Sequence, residues 1–324
     1  MFSRKCVVLF FLIVGLTAGA QQTAEKFLLE TKYLLYLPDG YDSDTSRKWP
    51  MVIFLHGAGE AGDDLNKVKK NGLPKLVESG KKYPFILVSP QAPPATGWQT
   101  EVLKPMLESL KKRLRADPDR IYLTGLSMGG FGTWNLAEKY PDDFAAIAPI
   151  CGGGDSSQVW KLRYTPVWCF HGAKDNDVLP RASQEMVDAL RRYSSNVKFT
   201  LYPDANHNSW DTTYNNDSLY IWLLAQKRYR FAEKTLNPSL LQSYTGDYIN
   251  AKKDTVRIQY KEGKIFVLPP NESFEVKASA ENRFFWDPNS TQEIVFNKNN
   301  KGKVVGFTAF GNSRDEFFKV RGKK

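Results

Sequence analysis

A chain of 324 residues with 42% hydrophobic and 25% charged side chains carries enough apolar material for a large packed core, which excludes a disordered polypeptide. Its formal net charge of +10 is dispersed among acidic residues, with no basic block and no recognisable reading module, so nucleic acid is not an expected partner. Three cysteines, of which Cys6 lies in the leader described next, make no disulfide scaffold; Cys151 and Cys169 sit in apolar runs and are expected as buried thiols.

Arg4 and Lys5 precede an apolar run from Cys6 to Leu16, and Thr17-Ala18-Gly19-Ala20 ends it in a small-x-small pattern. That is the layout of a signal peptide over residues 1–20, cleaved before Gln21 and too short to span a bilayer comfortably, with a retained membrane anchor as the alternative. The mature chain is therefore expected outside the cytoplasm, periplasmic or extracellular, with no membrane span.

Strand-like runs follow at Tyr33–Leu37, Met51–Leu55, Phe85–Ser89, Arg120–Thr124, Phe144–Ile150, Val167–Phe170 and Val197–Tyr202. Helical stretches at Glu101–Arg115, Met128–Tyr140, Ala182–Tyr193 and Ser218–Arg230 lie between or after them. Apolar runs without strict alternation suit strands covered on both faces, which predicts an α/β fold with a mainly parallel sheet and helices on each side. In such sheets ligands bind beyond the carboxyl ends of the strands.

After Leu236-Asn237-Pro238 the pattern becomes alternating, as in Val256, Ile258 and Tyr260, with turns at Glu262-Gly263 and Asn300-Lys301-Gly302. A small antiparallel β domain over 235–324 is expected, following a catalytic domain over 21–234. The β segment has no His or Cys and carries fifteen basic against ten acidic residues over 236–324, so binding or stabilisation suits it better than catalysis.

Gly125-Leu126-Ser127-Met128-Gly129 matches G-x-S-x-G between a predicted strand and a predicted helix. A sharp turn there forces the serine backbone into an unfavourable conformation, and the residues two before and two after must lack bulk. A serine hydroxyl needs a base, usually histidine, and where this motif carries a triad the order is Ser, then Asp or Glu, then His. Of His56, His171 and His207, only His207 satisfies that order. The acid is expected in Lys174-Asp175-Asn176-Asp177, at Asp175 with Asp177 as the alternative; it would hold the imidazole in one tautomer. His171 and His56 read as structural residues at strand ends. The glycine-rich His56-Gly57-Ala58-Gly59 turn can aim the Ala58 N–H at a developing oxyanion, with the Met128 N–H as second donor.

Together "LHGAGE" at 55–60, "SPQAPPATGW" at 89–98, "LTGLSMGGFGTW" at 123–134, "APICGGGD" at 148–155, "FHGAKD" at 170–175 and "ANHNSW" at 205–210 carry a family pattern. Residues 33–230 resemble the α/β-hydrolase superfamily, and within it an esterase branch with feruloyl and acetyl esterases, polyhydroxybutyrate depolymerases, dienelactone hydrolase-like proteins and bacterial predicted peptidases. The resemblance implies Ser127 as nucleophile, Asp175 as acid and His207 as base; acyl transfer to that serine is expected to need no metal or organic cofactor. "YTGDY" at 244–248 and "GKVVGF" at 302–307 make the C-terminal segment similar to the small lipocalin-like barrels appended to some exported hydrolases.

The expected chemistry is hydrolysis of a small-molecule or glycan carboxylic ester through an acyl-enzyme. A peptidase of the same fold and a non-catalytic binding protein are the alternatives. Trp98 and Trp210 flank the expected site, where their faces either stack on a sugar or aromatic acyl group or wall the pocket. Trp134 reads as core, and the oligomeric state is not specified by any motif.

Overall fold

In the computed structural model, which describes residues 31–94 and 96–320, seven strands form the first sheet. They are β1 (Tyr33–Tyr36), β2 (Trp49–Leu55), β3 (Ile86–Pro90), β4 (Ala116–Leu126), β5 (Ala146–Ile150), β6 (Val167–Gly172) and β7 (Val197–Tyr202), in the spatial order β1-β3-β2-β4-β5-β6-β7. Only β1 runs antiparallel to its neighbour. The expected signal segment lies outside the described residues, and no described helix is long and apolar enough to cross a membrane.

Every residue of β2, β3 and β5 is buried, because both faces of the sheet are covered. Side chains alternate between the faces. Met51, Ile53 and Leu55 join Ile121 and Leu123 on one face, under α2 (Thr100–Arg113), α3 (Met128–Lys139) and α4 (Arg181–Arg191); the fully buried Trp134 of α3 fills this core. Val52 and Phe54 enter the opposite core with Tyr122 and residues of α1 (Gly72–Glu78), α5 (Trp210–Tyr214) and α6 (Asp217–Ala225). Cys151 and Cys169 are free and buried, as expected.

Two expectations need correction. The helix expected over Ser218–Arg230 stops at Ala225. Beyond it the Arg228 N–H donates to Asp119 O at 2.9 Å, Arg228 and Arg230 pair with the Asp119 carboxylate, and the Phe231 N–H reaches Pro288 O. These partners hold the chain extended. Strand β4 also begins four residues before the expected Arg120, and the short helices α1 and α5 were not anticipated.

After α7 (Pro238–Ser243), eight antiparallel strands close into a barrel: β8 (Gly246–Asn250), β9 (Thr255–Lys261), β10 (Lys264–Leu268), β11 (Phe274–Ala280), β12 (Arg283–Phe285), β13 (Glu293–Lys298), β14 (Val304–Phe310) and β15 (Arg314–Lys319). The β9–β10 hairpin turns at Glu262 and Gly263, both with positive φ (54° and 82°), as a two-residue hairpin of this hand requires. Stacked and edge-on aromatics, among them Tyr244, Tyr248, Phe284, Phe296 and Phe307, pack its interior. Sheet layer and barrel belong to one compact unit. The fully buried Glu293 of β13 accepts hydrogen bonds from Arg163 Nε (3.0 Å) and the Tyr164 hydroxyl (2.7 Å), and Trp160 packs on Phe310.

Candidate active site

The turn from β4 into α3 is tight enough to place Ser127 at φ 53°, ψ −119°, a region that non-glycine residues rarely occupy. Glycine is required on both sides. A Cβ on Gly125 would lie 2.3 Å from Gly129 O, and one on Gly129 would lie 2.0 Å from Leu55 O. The two glycines thus let α3 start directly against the ends of β2 and β4. The Ser127 N–H is held by Ile150 O at 3.0 Å and by Cys151 Sγ at 3.3 Å, which anchors the turn to the end of β5.

His207 sits in the loop between β7 and α5, brought over the end of β6 because Gly172 has no side chain: a Cβ there would lie 2.2 Å from Asn206 O. His207 Nε2 is 2.9 Å from Ser127 Oγ, and Nδ1 is 2.8 Å from Asp175 Oδ2. An ionised carboxylate only accepts, so Nδ1 carries the proton and Nε2 is left to accept from the serine hydroxyl.

Asp175 is buried, which by itself would raise its pKa. The His207 hydrogen bond and the N–H groups of Val178 (2.9 Å) and Asp177 (3.0 Å) outweigh burial, so the carboxyl stays below its ordinary range and ionised. Asp177 is exposed and contributes its backbone instead. The structure brings Asp175, not Asp177, to His207.

Ala58 opens the single 3-10 turn Ala58–Glu60 that follows β2, and Met128 opens α3. First-turn N–H groups have no acceptor within their own helix. The two turns are neighbours: a Cβ on Gly57 would meet the Leu126 side chain at 2.8 Å and lie 3.6 Å from Ser127 Cβ.

His56 is buried and neutral: desolvation lowers its pKa, more than its contact with Gly57 O raises it. Its Nε2 accepts the Ala92 N–H at 3.0 Å, so Nδ1–H donates to Gly57 O at 2.6 Å. This clamps the glycine turn to the loop after β3. His171 is also buried, with Nδ1 2.7 Å from Ser183 Oγ and Nε2 2.8 Å from Val178 O.

Trp98 donates Nε1–H to His56 O at 3.0 Å, stands 4.7 Å from the His56 ring, and lies over Gly132 of α3, where a Cβ would meet it at 2.9 Å. Trp210 meets the His207 ring edge-on at 5.2 Å. Both indoles are half-buried.

Cys151 Sγ, an Asp175 oxygen and a His207 nitrogen lie within 4.8 Å of one another, a set that could be read as metal ligands. The chemistry does not fit. Burial pushes the Cys151 thiol up to about 12, so it is protonated, and the other two groups are engaged with each other. Cys151 as the acceptor for the Ser127 N–H and Gly172 as the seat of the histidine loop escaped the sequence reading. Gly172 directly after His171 was the available signal.

The model of the family named Esterase matches residues 25–257. A segment of 135 residues is 32% identical to poly(3-hydroxyalkanoate) depolymerase C of Paucimonas lemoignei, covering 36% of this chain and 30% of that protein. Another of 182 residues is 26% identical to a bifunctional acetylxylan esterase/xylanase of Neocallimastix patriciarum, covering 53% of this chain and 26% of that protein. These matches span less than half of either relative's length. Among solved structures, a thermostable esterase is similar with a TM-score of 0.54 at 34% identity, over 62% of this chain and 60% of that one.

Proposed function

The chain belongs to the Esterase family, and on that premise we propose that it hydrolyses carboxylic esters through an acyl-enzyme, with acyl esters of carbohydrates as its substrates. The observation that carries this reading is the continuous hydrogen-bond chain from Asp175 through His207 to Ser127 Oγ.

Ser127 Oγ attacks the ester carbonyl as His207 Nε2 takes its proton, while the ionised Asp175 stabilises the imidazolium. The N–H groups of Met128 and Ala58 receive the tetrahedral oxyanion. His207 then returns the proton to the departing alkoxide, and a water activated by the same nitrogen releases the acid and regenerates Ser127. Trp98 and Trp210 are proposed to bound the substrate position on either side, each offering a face to a sugar or acyl group. The acetylxylan esterase relative supports a carbohydrate ester. Residues 21–234 would carry the catalysis and 235–324 a supporting or binding role, in a chain exported on its apolar leader.

The test is a fluorophosphonate probe combined with a substrate screen of the chain from residue 21. Stoichiometric labelling at Ser127 and turnover of acetylated sugars or feruloyl esters above simple peptides are expected. Folded protein that neither labels nor turns over any ester would overturn the reading, and faster cleavage of peptides would move the substrate class to amides.

A further inference from the structure

Two clefts lie along one side of α3 and share Glu138, Lys139 and Lys161 in their walls. The first, of ≈ 390 Å³, begins at Trp98, whose indole lies over Gly132 within the second turn of α3. The second, of ≈ 260 Å³, continues past Tyr140 and Trp160 to Gln292, Phe310 and Asn312 of the barrel. Phe131, Asn135 and Lys139 are the exposed positions of α3 and, at four-residue spacing, form one stripe along its length. From Ser127 to Glu138 the helix rises on the order of 16 Å.

Glu138 is the unusual residue in this path. It is only 5% exposed, it lines both clefts, and its Oε1 has no hydrogen-bond partner. Burial pushes its carboxyl up to about 8, so at neutral pH it can donate as well as accept. A buried polar atom without a hydrogen-bond partner is costly, which marks Glu138 as the polar point between the two clefts.

The remaining lining combines the amides Gln99, Asn135, Gln158 and Asn312 with four basic and three acidic side chains, beside Trp98, Trp160 and Phe310. Amides and a carboxyl meet hydroxyl groups that both donate and accept, and aromatic rings meet the apolar faces of sugar rings.

We propose that this path along α3 is an extended glycan-binding groove: the acyl-bearing sugar sits at Trp98 and Ser127, and the main chain runs past Glu138 to the barrel rim at Asn312. This deepens the carbohydrate-ester reading above and rests on it. It gives the barrel a definite part, as one wall of the distal subsites.

The test separates groove from chemistry. Binding of unsubstituted xylohexaose, cellohexaose, mannohexaose and hexagalacturonate is measured by calorimetry on the full chain, beside the matching disaccharides. At least one hexasaccharide should bind at least tenfold more tightly than its disaccharide. The Asn135→Ala/Asn312→Ala variant, changed only at exposed positions, should lose that gain. On acylated forms of the same glycan, the variant's kcat/KM ratio of long to short substrate should fall about tenfold, through KM. Aryl-ester turnover without any length-dependent glycan binding would overturn the groove alone, as would tighter binding of a hexapeptide. Absence of all ester turnover would overturn the catalytic reading, while the calorimetric arm would still decide the groove.

Discussion

His171 Nε2 lies 3.1 Å from Asp175 Oδ2, the same oxygen that faces His207 Nδ1 at 2.8 Å. His171 also joins Ser183 to the Val178 carbonyl, so one buried imidazole ties the end of β6, the start of α4 and the loop carrying Asp175 together. His171→Ala would strand those partners and leave a void, at a cost of about 3 kcal/mol. Urea unfolding should show the loss, and turnover per folded molecule should survive better than in Ser127→Ala. An unchanged unfolding midpoint would remove the structural role.

Asp175 and Asp177 give a clean comparison of two neighbouring carboxylates. Asp175→Asn keeps the shape but no longer fixes the His207 tautomer, and kcat on an aryl acetate should fall by about ten-thousand-fold. Asp177→Asn leaves its backbone N–H on Asp175 and should stay near the parent value. The reverse ranking would transfer the acid's role to Asp177.

Glu138 makes stability depend on pH with a definite sign. Its carboxyl titrates at about 8 in the folded chain against an ordinary 4.5, mainly through burial and then the charge of Asp155. Below 4.5 both folded and unfolded chains are protonated at this site, so it contributes no difference. Between 4.5 and about 8 only the unfolded chain ionises, the folded state binds more protons, and stability from this group is lost as pH rises. Glu138→Gln should therefore gain on the parent through that window and level off above it. A stability difference that stays constant from acid to alkaline pH would show that Glu138 does not titrate in this way.

Glu293 and Arg163 form a buried pair across the join between sheet layer and barrel, extended by Tyr164 and by Arg283 at 3.2 Å. Glu293→Ala leaves the Arg163 guanidinium buried and unpaired, which costs about 3–5 kcal/mol. Thermal unfolding should shift down by many degrees, whereas Lys261→Ala, at an exposed pair, should scarcely register. Equal effects of the two changes would show that the join is not held by this cluster.

The seven strands of the first sheet were legible because each is a short apolar run, and burial on both faces leaves that mark in any neighbourhood. Helices α1, α5 and α7 were not, since five to seven residues cannot display a full apolar period. The overrun past Ala225 has a similar origin: Lys227 to Arg230 suit a helix locally, and Asp119, more than a hundred positions away, decides otherwise.

The site divides along the same line. Gly125, Ser127 and Gly129 are a local statement, because a turn this sharp excludes side chains within a few residues of itself, and the sequence alone determined the elbow. It also narrowed the histidine to His207 by order. What only the tertiary structure decided is which partners meet. Asp175 and Asp177 are two positions apart, and their difference depends on which strand end faces the His207 loop. Cys151 touches Ser127 because β5 lies beside β4, and Glu138 gains its environment from the turn at Asp155 and the barrel beyond it. Short-range sterics are written in adjacent residues, whereas burial and hydrogen-bond partnership arise only when segments distant in the chain are packed together.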